Sequence, residues 1–303
     1  MHNVHFVGCG PGDPELITIK ARKLIRKADV LVHSGSLIPR PILEMCGGKM
    51  HDASGMIREE IFALLRDGAL KGKHVVRLHD GDPSVYGAIR EQIDALEEEG
   101  IGCTVVPGVT SMLAASAALG VQLTLPGVTQ TIMITRAGAR TGVPAREGMT
   151  SLARHGTTIV LYLSVHLLRD TVKKAVAGGY KKSTPAAVVY RASWPDQKIV
   201  RGTLGDIADK VREAGITRTA IVMIGDVISP KSYEYSRLYD KSFSHGYRKA
   251  KSAKSGPSRA KVRGKGPSKP KGSTGPGARG RGKAPSSAGA RSAKRPRART
   301  LVS

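Results

Sequence analysis

The feature that most limits what this chain can fold into is an alternation of short apolar, β-branched runs with helical stretches, the runs ending in turns rich in Gly and Pro. Val4-His5-Phe6-Val7 is followed by Gly8-Cys9-Gly10-Pro11-Gly12-Asp13-Pro14, a helix predicted over 15–27, and a second strand, Val30-Leu31-Val32. Further strands are predicted at Val75-Val76 and Thr104-Val105-Val106. Helices are predicted over 56–70, 85–99 and 112–119, with a short one near 42–45. Strands joined by helical crossovers pair in parallel, so the first half reads as an open α/β sheet with helices against it. In such sheets ligands bind in the turns beyond the strand ends.

The turn that organises the rest is Arg77-Leu78-His79-Asp80-Gly81-Asp82-Pro83-Ser84-Val85-Tyr86-Gly87. Gly81 permits a close backbone approach, Pro83 suits a first helical turn, and Asp82 stands at an N-cap position. By itself this is a capped helix start. A second compact turn, Pro107-Gly108-Val109-Thr110-Ser111, ends the neighbouring strand, and Thr110 could cap the helix after it. The Gly8 to Pro14 loop has the G-x-G spacing of an anion cradle at a helix N-terminus. A nicotinamide site is disfavoured there, because Pro11 stiffens the loop and His33-Ser34-Gly35 offers no acid for a ribose.

After Leu125-Pro126-Gly127 the texture changes, which sets the expected domains at 1–122 and 123–230. The second half carries strands at 131–135, 157–163, 186–190, 198–203 and 220–224, a Gly- and Arg-rich loop over 136–148, and a helix over 204–214. The short link 191–197 implies an antiparallel pair, so this half is α/β with a mixed sheet. The last strand is expected to close that sheet. Residues 231–303 read as a linker and tail. Residues 245–303 hold 18 of the 49 Lys and Arg and no acid, which leaves a balance of about +7 for the remainder. A tail of Lys, Arg, Gly, Ser, Pro and Ala cannot bury enough surface to order itself and is expected to be disordered. Its charge suits nonspecific, salt-sensitive contact with a polyanion or nucleic acid.

Cys9, Cys46 and Cys103 have no C-x-x-C spacing, which argues against zinc and against a disulfide framework. No metal site is expected, and a reducing, cytoplasmic setting is the simplest. No apolar run reaches the roughly 18 residues that a bilayer span needs, and Met1-His2-Asn3 leads straight into a strand, so no membrane contact or export is expected.

Four motifs taken together resemble the tetrapyrrole (corrin/porphyrin) methylase family over roughly residues 4–227: Val7 to Pro14, Gly81-Asp82-Pro83-Ser84-Val85-Tyr86-Gly87, Val106-Pro107-Gly108-Val109-Thr110-Ser111, and Val189-Tyr190-Arg191-Ala192-Ser193-Trp194-Pro195. The resemblance implies S-adenosyl-L-methionine as methyl donor, held in a cleft between two α/β domains of a homodimer, and an anionic tetrapyrrole as acceptor. Leu125-Pro126, the turn over 190–196 and Gly215-Ile216-Thr217-Arg218-Thr219-Ala220 look like one branch of that family. The alternatives are a methyltransferase of the same family acting on a different ring carbon and, since a sister group with the same fold serves ribosomal RNA, an RNA-binding or RNA-methylating role that uses the basic tail. Carried over residue by residue, Pro11, Asp80, Gly81, Asp82, Thr110 and Ser111 match cofactor contacts of the first half. Tyr86 lies one helical turn on, and Leu163, Ala192 and Ala220 match adenosine-side positions of the second half. Cys9 stands where a small residue is usual, and Leu163 where relatives often have Met.

Methyl transfer from a sulfonium to a ring carbon is an in-line displacement in which the donor carries its own activation. The protein's share is then alignment and exclusion of water. Asp13, His79 and Asp80 are the titratable candidates near the cleft, although Asp13 could merely cap a helix and His79 could merely bond to backbone. Arg136, Arg140, Arg191 and Arg218 are candidates for the substrate's carboxylates.

Overall fold

The computed structural model describes residues 3–138, 142–250 and 261–263. Arg140 and most of the expected disordered tail lie outside the described residues.

β1 (Asn3–Gly8) leads through a single 3-10 turn, Pro14–Leu16, into α1 (Ile19–Lys27). The expected continuous helix over 15–27 is broken because Thr18 is an N-cap, its hydroxyl accepting the Ala21 N–H at 3.1 Å. Next come β2 (Val30–His33), α2 (Arg40–Leu43), β3 (Lys49–Asp52), α3 (Arg58–Leu70), β4 (Val75–His79), α4 (Arg90–Glu98) and β5 (Gly102–Val106). These strands form a five-stranded sheet in the order β3-β2-β4-β1-β5, parallel throughout. The edge strand β3 was not anticipated, since most of its residues face solvent and it shows no apolar pattern.

Helices cover both faces. Ala21, Ile25 and Ile42 pack on Val7, Leu31, Val76 and Leu78, while Leu65, Ala69, Ile93 and Leu96 pack on Val4, Phe6, Val30 and Val75. The neighbours β1 and β4 therefore pass to helices on opposite faces, which opens a crevice beyond their C-terminal ends. α4 begins at Arg90 rather than at 85, because Tyr86 (φ 59°) and Ala88 (φ 48°) hold left-handed backbone that no helix accommodates.

α5 (Ser111–Leu119) precedes the expected boundary at 122, yet Ala114, Ala115 and Leu119 pack against the second sheet, on Val160, Ala187, Val189 and Met223. That sheet follows as β6 (Ile132–Arg136), α6 (Met149–Ala153), β7 (Thr158–Tyr162), α7 (Leu168–Ala177), β8 (Pro185–Tyr190), β9 (Lys198–Thr203), α8 (Ile207–Glu213) and β10 (Ala220–Ile224). Its order is β6-β7-β10-β8-β9, with β6 and β7 parallel and the remaining pairs antiparallel, a mixed sheet as expected. β10 does not close an edge; it fills the centre, consistent with its nearly continuous burial. α6 and α7, also unanticipated, join α8 on the face away from α5. Part of the expected linker, and residues 261–263 of the tail expected to be disordered, are instead tied down by backbone pairing. β11 (Ser232–Glu234) pairs antiparallel with β12 (Lys261–Arg263), and the Glu234 N–H donates to the Pro126 carbonyl at 2.9 Å.

Candidate active site

Three turns of the first half meet beyond the switch point, backbone on backbone. The Gly10 N–H donates to the Gly81 carbonyl at 3.2 Å and the Gly81 N–H to the Gly10 carbonyl at 2.8 Å, bridging the first two. A Cβ on Gly108 would lie 2.0 Å from the Gly81 oxygen, and one on Gly8 would lie 2.6 Å from the same atom, so both must be glycine. Asp82 joins the third turn: Oδ2 accepts the Gly108 N–H at 2.9 Å while Oδ1 accepts the Ser84 N–H at 2.8 Å. Its carboxylate thus fastens turns together instead of capping a helix.

The second half enters through Tyr162 at the end of β7. Its hydroxyl lies 2.6 Å from Thr110 Oγ1 and accepts the Met112 N–H at 3.0 Å. Thr110 holds the N-cap position of α5 but turns its side chain to this tyrosine rather than to the helix backbone. One exposed N–H of the helix end is satisfied across the cleft.

Between these groups lies a cavity of about 390 Å³. Pro11, Ser36, Leu37, Asp80 and Ser111 line it from the first half, and Tyr162, Leu163, Ala192, Trp194, Arg218 and Ala220 are among those that line it from the second. Leu163 is 63% exposed and, with Arg191 and Thr219, holds φ between 44° and 54°; all three line this cavity. Left-handed backbone at non-glycine residues is costly and gathers where side chains are aimed at a ligand.

Six of the ten expected cofactor contacts reach the cavity wall: Pro11, Asp80, Ser111, Leu163, Ala192 and Ala220. Gly81, Asp82 and Thr110 build the turns behind that wall. Tyr86 stands apart, half exposed, with its ring 5.6 Å from that of Tyr162. Sequence reasoning missed Tyr162, Trp194, Ser36 and Leu37. The one signal for Trp194 was its standing as the sole tryptophan in the fourth motif.

The titratable candidates separate sharply. Asp13 caps the 3-10 turn, accepting the Glu15 N–H at 2.8 Å. His79 is buried with Nε2 unpaired, and burial, with the Arg77 cation adding to it, pushes it down to about 3. The imidazole faces the Phe6 ring and is not among the residues that line the cavity. Asp80 reaches the cavity, accepts a hydrogen bond from Ser34 at 3.3 Å, and is raised above the usual carboxylate range by the protein crowded around it. Burial drives the Cys9 thiol strongly upward, as befits packing rather than nucleophilic attack.

Among the arginines, Arg218 lines the cavity and has no ion-pair partner among the described residues. Arg191 also lines it but holds Asp196 at 2.8 Å. Arg136 donates to the Gly142 carbonyl at 2.9 Å and sits outside this cavity, near enough to Tyr86 to act on it electrostatically. No group of three or more acidic, His or Cys side chains suited to a metal occurs among the described residues.

A parallel sheet and a mixed sheet that close on an apolar cavity with one carboxylate define a class, and the sequence matches it: residues 3–208 fit the model of the Tetrapyrrole (Corrin/Porphyrin) Methylases. The chain belongs to this family. It is 51% identical over 249 residues, 82% of its own length and 96% of the relative's, to the cobalt-precorrin-4 C(11)-methyltransferase of Methanocaldococcus jannaschii. A solved cobalt precorrin-4 methyltransferase shares the fold at TM-score 0.74 and 43% identity, covering 76% of this chain and 97% of that one. A uroporphyrin-III C-methyltransferase from Thermus thermophilus, solved in complex with S-adenosylhomocysteine, matches at TM-score 0.65 and 32% identity over 75% of this chain and 98% of that one.

Proposed function

We propose that the chain transfers a methyl group from S-adenosyl-L-methionine to C11 of precorrin-4 or cobalt-precorrin-4, a step of cobalamin biosynthesis. The observation that carries the reading is the cavity itself, which has the size of a small-molecule site and joins both sheets. The names of the relatives support the choice of acceptor.

The residues fit a sulfonium donor. Leu37, Leu163, Val165, Ala192 and Ile221 offer apolar surface, Ser36, Ser111, Thr217 and Thr219 offer hydroxyls, and Asp80 supplies a negative charge. When bound, S-adenosyl-L-methionine supplies an electrophilic methyl group. The chain's own work is to hold the two reactants in line and keep water from the apolar wall. Asp80 would supply the negative charge for the donor's sulfonium, and Arg218 would take a carboxylate of the acceptor. Asp13 is committed to its turn and His79 is buried away from the cavity, so neither side chain takes a proton from the ring. The protein acts as a homodimer in the cytoplasm, and the basic tail makes accessory, salt-sensitive polyanion contacts.

The test is incubation with methyl-labelled donor and tetrapyrrole intermediates, with the labelled carbon located by NMR. Label at C11 supports the reading. Label at another ring carbon, or in ribosomal RNA with none in the tetrapyrrole, overturns it.

A further inference from the structure

The turn over residues 191–197 reaches from the second sheet to the first loop of the chain. There the Trp194 Nε1–H donates to the Pro11 carbonyl at 2.9 Å, and the Asp13 N–H donates to Ser193 Oγ at 3.0 Å. Gly12 is the seat for the indole, since a Cβ at that position would lie 2.0 Å from Trp194 Cδ1. Behind the indole stands Arg191, its guanidinium carbon 4.6 Å from the ring centroid and its charge matched by Asp196. The turn is strained, with Arg191 at φ 44° and Ser193 at φ 71°. The two hydrogen bonds and the seated ring hold this strained backbone in place. Pro11, Arg191, Ala192 and Trp194 all line the cavity, so the contact forms part of its wall.

We propose that this turn is a latch: Trp194 seated on Gly12 closes one wall of the cavity, and its release opens the wall for exchange of the small-molecule ligand. The identity of that ligand rests on the donor-site reading above, whereas the latch rests on the contacts alone. The two hydrogen bonds tie parts of the chain 180 and 183 residues apart, so they report directly on whether the two halves are closed on each other. Removing either should speed opening by about tenfold.

The test uses the full chain, with Ser193→Ala to remove the acceptor of the Asp13 N–H and Trp194→Phe to remove the indole donor. Trp194 is the only tryptophan, so its fluorescence reads the latch without a label. In the ligand-free protein, Ser193→Ala should make Trp194 more accessible to acrylamide and speed hydrogen exchange at the Asp13 amide. In stopped flow, S-adenosylhomocysteine should leave Ser193→Ala about tenfold faster than wild type, and Trp194→Phe should release labelled ligand faster in a competition assay. Unchanged quenching and exchange overturn the latch. Raised exchange with an unchanged release rate overturns its role as a gate. If S-adenosylhomocysteine binds neither wild type nor variants, the donor-site reading fails, and the ligand-free measurements still decide the latch.

Discussion

Asp82 Oδ2 and the Gly108 N–H, 26 residues apart in the chain, meet at 2.9 Å and lock the turn after β4 to the turn after β5. Because the other carboxylate oxygen holds the Ser84 N–H, Asp82→Ala leaves two backbone donors unpaired. It should cost about 1–3 kcal/mol. Asp82→Asn keeps one acceptor and should cost less, and urea unfolding of both variants checks the order.

Gly108 and Gly81 differ in why they are glycine. A Cβ on Gly108 runs into the Gly81 carbonyl, so Gly108→Ala should force the turns apart at a cost of about 1–3 kcal/mol. At Gly81 a Cβ has room, 3.6 Å from Ser111 Oγ, but φ is +59°. Gly81→Val should therefore cost about 1–2 kcal/mol in backbone strain and push its methyls toward Ser111 on the cavity wall. S-adenosylhomocysteine affinity measured by calorimetry should fall in this variant while the fold is kept. An unchanged affinity tells against the placement of the cofactor.

Asp80 supplies a charge, and that makes a distinction between donor and product. Asp80→Asn should weaken S-adenosylmethionine more than the uncharged-sulfur product S-adenosylhomocysteine, by a differential of several-fold at a partly exposed site. Because its pKa is raised, S-adenosylmethionine affinity in wild type should decline with falling pH sooner than an ordinary carboxylate would allow. Equal losses for both ligands in Asp80→Asn would remove Asp80 from the sulfonium's surroundings.

His79 should show its burial in stability, not in turnover. Its folded-state value near 3 lies below the ordinary 6.5, so between these limits the unfolded chain takes up a proton that the folded chain refuses. The resulting penalty is absent above 6.5, grows as pH falls, and is complete below about 3. His79→Leu should flatten the acid limb of the stability profile. His5, His33 and His51 are lowered too, so some slope persists in the variant.

Removing residues 264–303 takes away 11 Lys and Arg yet spares β12 and its pairing with β11. Methyl transfer by the truncated chain should match that of the full chain, while weak retardation of RNA at low salt should diminish. Loss of turnover in a folded truncation would give the tail a part in the reaction.

The β-branched runs and their Gly and Pro turns made most strands and the crossovers legible, since both the pairing mode and the ligand-facing turns follow from local chemistry. The short link over 191–197 likewise marked an antiparallel pair. What escaped has a common cause. β3 is an exposed edge whose side chains carry no pattern, and the late start of α4 depends on left-handed Tyr86 and Ala88, which no local propensity announces. The hydroxyl of Tyr162 at the Met112 amide and the indole of Trp194 at the Pro11 carbonyl span 50 and 183 residues. Partners so distant are chosen by the assembled fold.

The central place of β10 bears on how the molecule is made. As the chain leaves the ribosome, β6 with β7 and β8 with β9 can pair early, but each pair presents an open edge until residues 220–224 arrive to fill the gap. Unpaired edges recruit other chains. The nascent second half is thus most vulnerable to aggregation in the interval just before its last central strand is synthesised, and destabilising changes in β10 should lower soluble yield more than equal changes in the edge strand β9.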